Sequence, residues 1–129
     1  MNNIIIYLKQ IILLSVIFLL VDAGYLYLMK NKFTKLIENI QNSRFKLDIT
    51  STIFCYIFLI SLLYYFIICK SATLIDAFFL GLFTYGVYET TNMAIFKNWK
   101  FEIAIIDIIW GGILFLTTIY LYRYSVVYI

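Results

Sequence analysis

Residues 49–69 read ITSTIFCYIFLISLLYYFIIC, a run without a single charged side chain. At ~1.5 Å per residue, a helix of this length covers about 30 Å, the thickness of a bilayer's hydrocarbon core. A spanning strand would instead show alternation of apolar and polar residues over ~10 positions, and no such alternation is present. The segment therefore predicts a transmembrane helix, and the rest of the chain is read outward from it.

Upstream lies the one long polar stretch, residues 29–48. It holds Lys30, Lys32, Lys35, Arg44 and Lys46 against Glu38 and Asp48. Within it Phe33, Leu36, Ile37 and Ile40 recur at helical spacing, which predicts a short amphipathic helix lying on the membrane surface between helices 1 and 2. Before it, residues 4–28 form a second apolar segment, interrupted by Lys9 and Asp22. The apolar part from Ile11 to Val21 has the length of a signal-peptide core. However, the basic region before it is weak, and Asp22 and Tyr25 stand where a cleavage site needs small neutral residues. A retained helix is the expectation.

Downstream, Lys70 and Ser71 mark a tight turn into a third segment, residues 72–96, which carries Asp76, Glu89, Thr90, Thr91 and Asn92. A short loop over residues 97–102 leads to a fourth segment, residues 103–124, with Asp107 near its start. No internal repeat or second domain is visible. The expected fold class is all-α: a single integral membrane four-helix bundle over residues 1–129.

Composition agrees. The chain is 64% hydrophobic and 13% charged, with a mean hydropathy of +0.96. Soluble domains carry roughly 25% charged residues, and a chain this short could not hide so much apolar surface from water. There is no His, which removes the commonest metal ligand and the usual near-neutral proton carrier, and no Pro to kink a helix. Cys55 and Cys69 sit on one predicted helix, about 21 Å apart at ~1.5 Å per residue, beyond disulfide reach within the chain. The net charge of +3 does not indicate nucleic acid, because the basic residues border apolar segments and belong to topology. The loops after the first and third helices hold seven of them (Lys30, Lys32, Lys35, Arg44, Lys46, Lys97, Lys100), and the other side holds Lys9, Lys70 and Arg123. The positive-inside rule puts the seven in the cytoplasm of a plasma or inner membrane, with both termini outside.

Carboxylates inside membrane segments are costly, ~2.5–3.5 kcal/mol at a helix centre on insertion scales, and persist when paired, protonated or used. Asp22, Glu89 and Asp107 each lie within about 7–11 Å of the same surface, because odd helices end and even helices begin there. Asp48 sits at that surface, and Asp76 at the opposite end starts a helix. Each buried acid brings a stripe of residues three and four apart. On the first helix this is Ser15, Phe18, Asp22 and Tyr25; on the third, Gly81, Tyr85, Tyr88, Glu89, Asn92 and Phe96; on the fourth, Asp107, Trp110, Gly111 and Leu114. The stripes should face one another, with at least one acid protonated or a cation among them. The candidate polar or ligand cluster is Asp22, Tyr25, Tyr85, Tyr88, Glu89, Thr91, Asn92, Asp107 and Trp110; a metal, if any, would take Asp22, Glu89 and Asp107.

The stretch from Asp22 to Leu26, the run from Tyr85 to Ala94 containing Tyr-Glu-Thr-Thr-Asn, and Asp107-Ile-Ile-Trp-Gly resemble a family of four-helix membrane proteins, domain of unknown function 2177. The likeness covers nearly the whole chain. In that family an Asp is usual where this chain has Glu89. The resemblance implies a membrane location and singles out Asp22, Glu89, Thr91, Asn92, Asp107 and Trp110; it implies no reaction.

Three functions fit these features. The first is a binding or transport component holding a cation, an amine or a lipid headgroup at the acids. The second is a structural or accessory membrane protein whose polar residues only fix helix packing. The third is a lipid-acting enzyme using two carboxylates as acid and base. The last is disfavoured, because there is no His, no metal-ligand cluster and no phosphate-cradling glycine loop. No cofactor is expected. The bilayer is the expected partner, and assembly into a homo-oligomer is left open. A hydrogen-bonded, closed cluster would favour packing, and an open one a ligand.

Overall fold

The computed structural model describes residues 2–129. Four helices make up the chain: α1 (Asn2–Gln41), α2 (Ile49–Leu63, continued by a widened turn over Tyr64–Ile68), α3 (Leu74–Ile95) and α4 (Phe101–Ser125), with a final 3-10 turn at Val126–Tyr128. The described residues contain no strand. This is the all-α membrane bundle expected.

Three helices, Asn2–Gln41, Ile49–Ile68 and Phe101–Tyr128, are long and apolar enough to cross a membrane. The third apolar segment forms α3, whose 22 residues reach about 33 Å at ~1.5 Å per residue. Its lower hydropathy comes from Asp76, Thr84, Glu89, Thr90 and Thr91, and α3 packs more extensively against α4 than any other pair in the bundle. α4 is the centre. Ten of its residues are buried, among them Asp107, Gly111, Gly112, Leu114, Phe115, Thr118 and Ile119. α1 packs on its other side, and α2 rests chiefly on α1. The core joins Leu14 and Phe18 of α1, Leu63 and Ile67 of α2, Ala77 of α3, and Leu114, Phe115 and Ile119 of α4. The outer faces are largely apolar: Leu20 is 70% exposed, Phe58 69% and Leu28 78%. Such continuous apolar surface is stable only against lipid.

Glycine sets how closely α3 and α4 approach. A Cβ on Gly81 would overlap the Gly111 carbonyl oxygen and the Phe115 ring, and one on Gly111 would enter the Tyr85 ring. At Gly24 and Gly86 the space is open.

The polar stretch after residue 28 departs from expectation. Phe33 to Ile40 is helical as predicted, but not as a separate surface helix: α1 continues through it without a break for 40 residues, about 60 Å at ~1.5 Å per residue. No Gly or Pro lies between Tyr25 and Gln41, so the change from apolar to charged side chains leaves the backbone hydrogen bonds intact. Met29 and Leu36 are buried, and the Phe33 ring meets Tyr25 edge-on at 6.3 Å, so the extension is held to the bundle. α1 ends at Asn42, which takes the left-handed conformation at φ 54°. Its amide bonds the Glu38 carbonyl at 2.9 Å, while the Glu38 carboxylate accepts from the Phe45 amide at 2.7 Å.

The remaining ends are built as read. Asp76 forms a reciprocal capping box with Thr73 at the start of α3. Asp48 stands at the start of α2, exposed, and accepts from the Ser51 hydroxyl at 2.6 Å. Ser71 turns the chain at φ 50°, and the Arg123 guanidinium donates to the Ala72 carbonyl, tying α4 to that turn. The Tyr64 hydroxyl donates to Gln10 Oε1 at 2.9 Å, fixing α2 to α1. Cys55 and Cys69 are both free.

Candidate carboxylate site

Of the seven acidic residues, three are buried: Asp22 (4% exposed), Glu89 (0%) and Asp107 (5%). These are the three picked out from sequence, and each comes from a different helix.

Asp22 and Asp107 are joined by a crossed pair of aromatics. On α1 the acid is followed three residues later by Tyr25; on α4 it is followed three residues later by Trp110. Three-residue spacing places acid and aromatic on one helix face. Each aromatic donates to the other helix's acid. The Tyr25 hydroxyl donates to Asp107 Oδ1 at 2.9 Å, and the Trp110 indole N–H donates to Asp22 Oδ1 at 3.1 Å. Between the two bonds the Tyr25 and Trp110 rings stack, with centroids 4.5 Å apart and planes within 5°. α2 completes the group: the Tyr56 hydroxyl donates to Asp22 Oδ2 at 2.6 Å. Both oxygens of Asp22 therefore have donors, and the residue links three helices.

Glu89 is placed differently. Its Oε2 accepts from the Trp99 indole N–H at 2.8 Å. Trp99 belongs to the short connection between α3 and α4 and stacks on Phe96, with centroids 5.9 Å apart. The connection thus folds back over the carboxyl group that its own helix carries. Glu89 Oε1 is buried and has no hydrogen-bond partner. The Glu89 and Asp107 carboxyl groups are neighbours on the facing helices α3 and α4. Two carboxylates are acceptors only, so neither satisfies the other unless a positive charge lies between them.

The other sequence candidates are less central. Tyr85 is half-buried and its ring lies over Gly111 and edge-on to Phe115 at 6.3 Å, so it fills space. Asn92 is half-buried, and Tyr88 and Thr91 are exposed; none of the three bonds the buried acids. Thr90 turns back to the Gly86 carbonyl at 2.6 Å. Two members escaped the sequence reading, Tyr56 and Trp99. The available signal was general: a hydroxyl or indole N–H at membrane depth needs an acceptor. Nothing selected Tyr56 from Tyr64 and Tyr65 on the same helix.

Among the described residues, no group of three His, Cys, Asp or Glu side chains is placed to hold a metal ion. Each oxygen of Asp22 already has one donor, whereas Glu89 has an oxygen with none. The arrangement divides into an acid with a donor on each oxygen, Asp22, and a pair with fewer donors, Glu89 and Asp107.

No curated protein and no solved structure matches the chain. The family model described as a predicted membrane protein, domain of unknown function 2177 (DUF2177), matches residues 7–122. That span contains every acid and every aromatic of the network, from Asp22 to Trp110, and most of each of the four helices that carry them. The chain thus belongs to the DUF2177 family of predicted membrane proteins.

Proposed function

We propose that this membrane protein binds a small monovalent cation, an alkali ion or a primary ammonium group, at the Glu89–Asp107 carboxyl pair, and that it does so from the cytoplasmic side. The observation that carries the reading is Glu89: a fully buried side chain with one unpartnered oxygen beside a second buried acid. Two unit charges about 4 Å apart repel by ~4 kcal/mol at an effective dielectric of ~20. One positive charge between them, a proton or a cation, removes that repulsion and supplies the missing partner. The orientation is proposed from charge: seven basic residues flank the ends of α1 and α3 and three lie on the opposite side, so the acids face the cytoplasm and both termini face out.

A second reading, helix packing alone, is favoured by Asp22, which has a donor on each oxygen, and by the burial of all three acids. The two roles divide between the residues. Asp22 positions α1, α2 and α4, and Glu89 with Asp107 holds the cation.

The test uses N,N′-dicyclohexylcarbodiimide, which adds to a protonated carboxyl group in an apolar setting and leaves a mass tag. With the protein in lipid nanodiscs, Glu89 is expected to be modified and a saturating level of sodium, potassium or ethanolammonium to slow the modification. Glu89→Gln should abolish the tag at this site while the bundle still forms. Modification at a rate that none of these cations changes would leave packing as the function of all three acids.

A further inference from the structure

A second site lies at the same end of the bundle and has the opposite charge. The continuous α1 brings Lys32 and Lys35, three residues apart on one helix face, against the start of α4, where Lys100 precedes the first turn. Together with Glu102, Ile103 and Ile106 these lysines line a cleft of about 210 Å³. We propose that this cleft binds the phosphate of an anionic phospholipid, with the lysines on the phosphate and the isoleucines under the glycerol and the first acyl carbons.

Three observations support this assignment. The lysines come from two elements that are far apart in sequence, and the fold places them around one concave surface with a single carboxylate, Glu102, among them. The floor is apolar and continues into the lipid: Ile106 is 40% exposed, Ile109 49% and Ile113 44%, at spacings of three and four along one face of α4. An acyl chain has that track to follow, whereas a free phosphate ion would use only the lysines. Finally, α4 begins without a side-chain cap, so the amides of its first turn add their partial positive charge at the mouth of the cleft. The inference stands apart from the cation reading, because none of the lining residues touches Glu89 or Asp107 through a hydrogen bond.

Native mass spectrometry of the full chain, released from mixed nanodiscs of phosphatidylglycerol and phosphatidylcholine with matched acyl chains, tests the proposal. Wild type should retain one phosphatidylglycerol in preference to phosphatidylcholine. Each lysine near an anionic surface contributes about fivefold, so K32Q/K35Q/K100Q should lower the preference on the order of a hundredfold. K9Q/K70Q, at the other end, should leave it unchanged. All three lysines of the cleft are exposed, so the triple variant does not disturb packing. E102Q removes the one opposing charge and should raise retention about fivefold, a gain that no loss of folding can imitate. Equal retention of both lipids, an equal loss in the two lysine variants, or no gain in E102Q would overturn the proposal. Displacement of the lipid by inorganic phosphate at equal concentration would assign the cleft to a free anion instead, and would overturn it too.

Discussion

Replacing Asp22 separates two ways in which a buried carboxylate can hold a membrane bundle. Asp22 accepts from Tyr56 on α2 and from Trp110 on α4. In Asp22→Leu both donors lose their acceptor with no water to replace it, and each unsatisfied group costs ~1–3 kcal/mol. Measured interhelical hydrogen bonds in membranes are smaller, ~0.6 kcal/mol on average and ~1.7 at most, because the unfolded helices find other partners. Weighting the two figures gives a loss of about 2–4 kcal/mol for Asp22→Leu. Asp22→Asn is a different perturbation. The amide carbonyl can still accept from Trp110, and the amide N–H can donate to the Tyr56 hydroxyl, which rotates to accept. Its cost should stay below about 1 kcal/mol. Unfolding by sodium dodecyl sulfate in mixed micelles measures both, read by tryptophan fluorescence, since Trp110 leaves its stack with Tyr25 as α1 and α4 part. A double-mutant cycle between Asp22→Leu and Tyr56→Phe should return a coupling of about 0.6–1.7 kcal/mol. The reasoning fails if Asp22→Leu is as stable as wild type, if Asp22→Asn costs as much as Asp22→Leu, or if the cycle shows no coupling.

Gly81→Ala should cost about 1–3 kcal/mol, because its Cβ meets the backbone of Gly111 and the Phe115 ring, while Gly86→Ala, with open space, should be neutral or slightly stabilising in the same titration. Hydrogen exchange in lipid should show unbroken amide protection from Leu28 to Ile40, and a fast-exchanging gap over residues 29–32 would contradict a continuous α1. In a variant lacking Cys55 and Cys69, single cysteines placed at Ser43 and at Ile129 should react with an impermeant maleimide from opposite sides of the membrane. Labelling of both from one side would refute the proposed topology.

The number and order of the helices were legible because an apolar run of bilayer length has few other homes. Residues 29–41 were misread for an instructive reason. Charge there reports the environment of the side chains, and nothing in Met29, Lys30, Asn31 or Lys32 interrupts a backbone already in a helix. The stop signal came later, at Asn42, whose left-handed conformation ends α1. For the site, the acids and the aromatics three residues beyond Asp22 and Asp107 could be read, since local spacing sets both. Tyr56 and Trp99 could not, because their partners lie on other elements and no local pattern points across the bundle.

Counting donors then separates roles that the three acids, alike in sequence, do not show. Asp22, next to α2, has two donors; Asp107, in the central helix, has one besides its neighbouring carboxyl; Glu89, under the α3–α4 connection, has one and an oxygen left over. Satisfaction falls from the α2 side of the bundle toward α3. A chain selected for packing alone gains nothing from an unmatched buried oxygen, because Gln at position 89 would keep an acceptor for Trp99 and present a donor to Asp107. An acid with an unmatched oxygen at this position fits the proposed site for a positive charge, and places where local rules are broken while their surroundings obey them are where function is to be sought. Trp99 covers that position from a connection only a few residues long, which also carries Lys97 and Lys100 on the charged surface. Under the proposed cation reading, a cation reaches Glu89 past this connection, one of three that join the helices of the described chain.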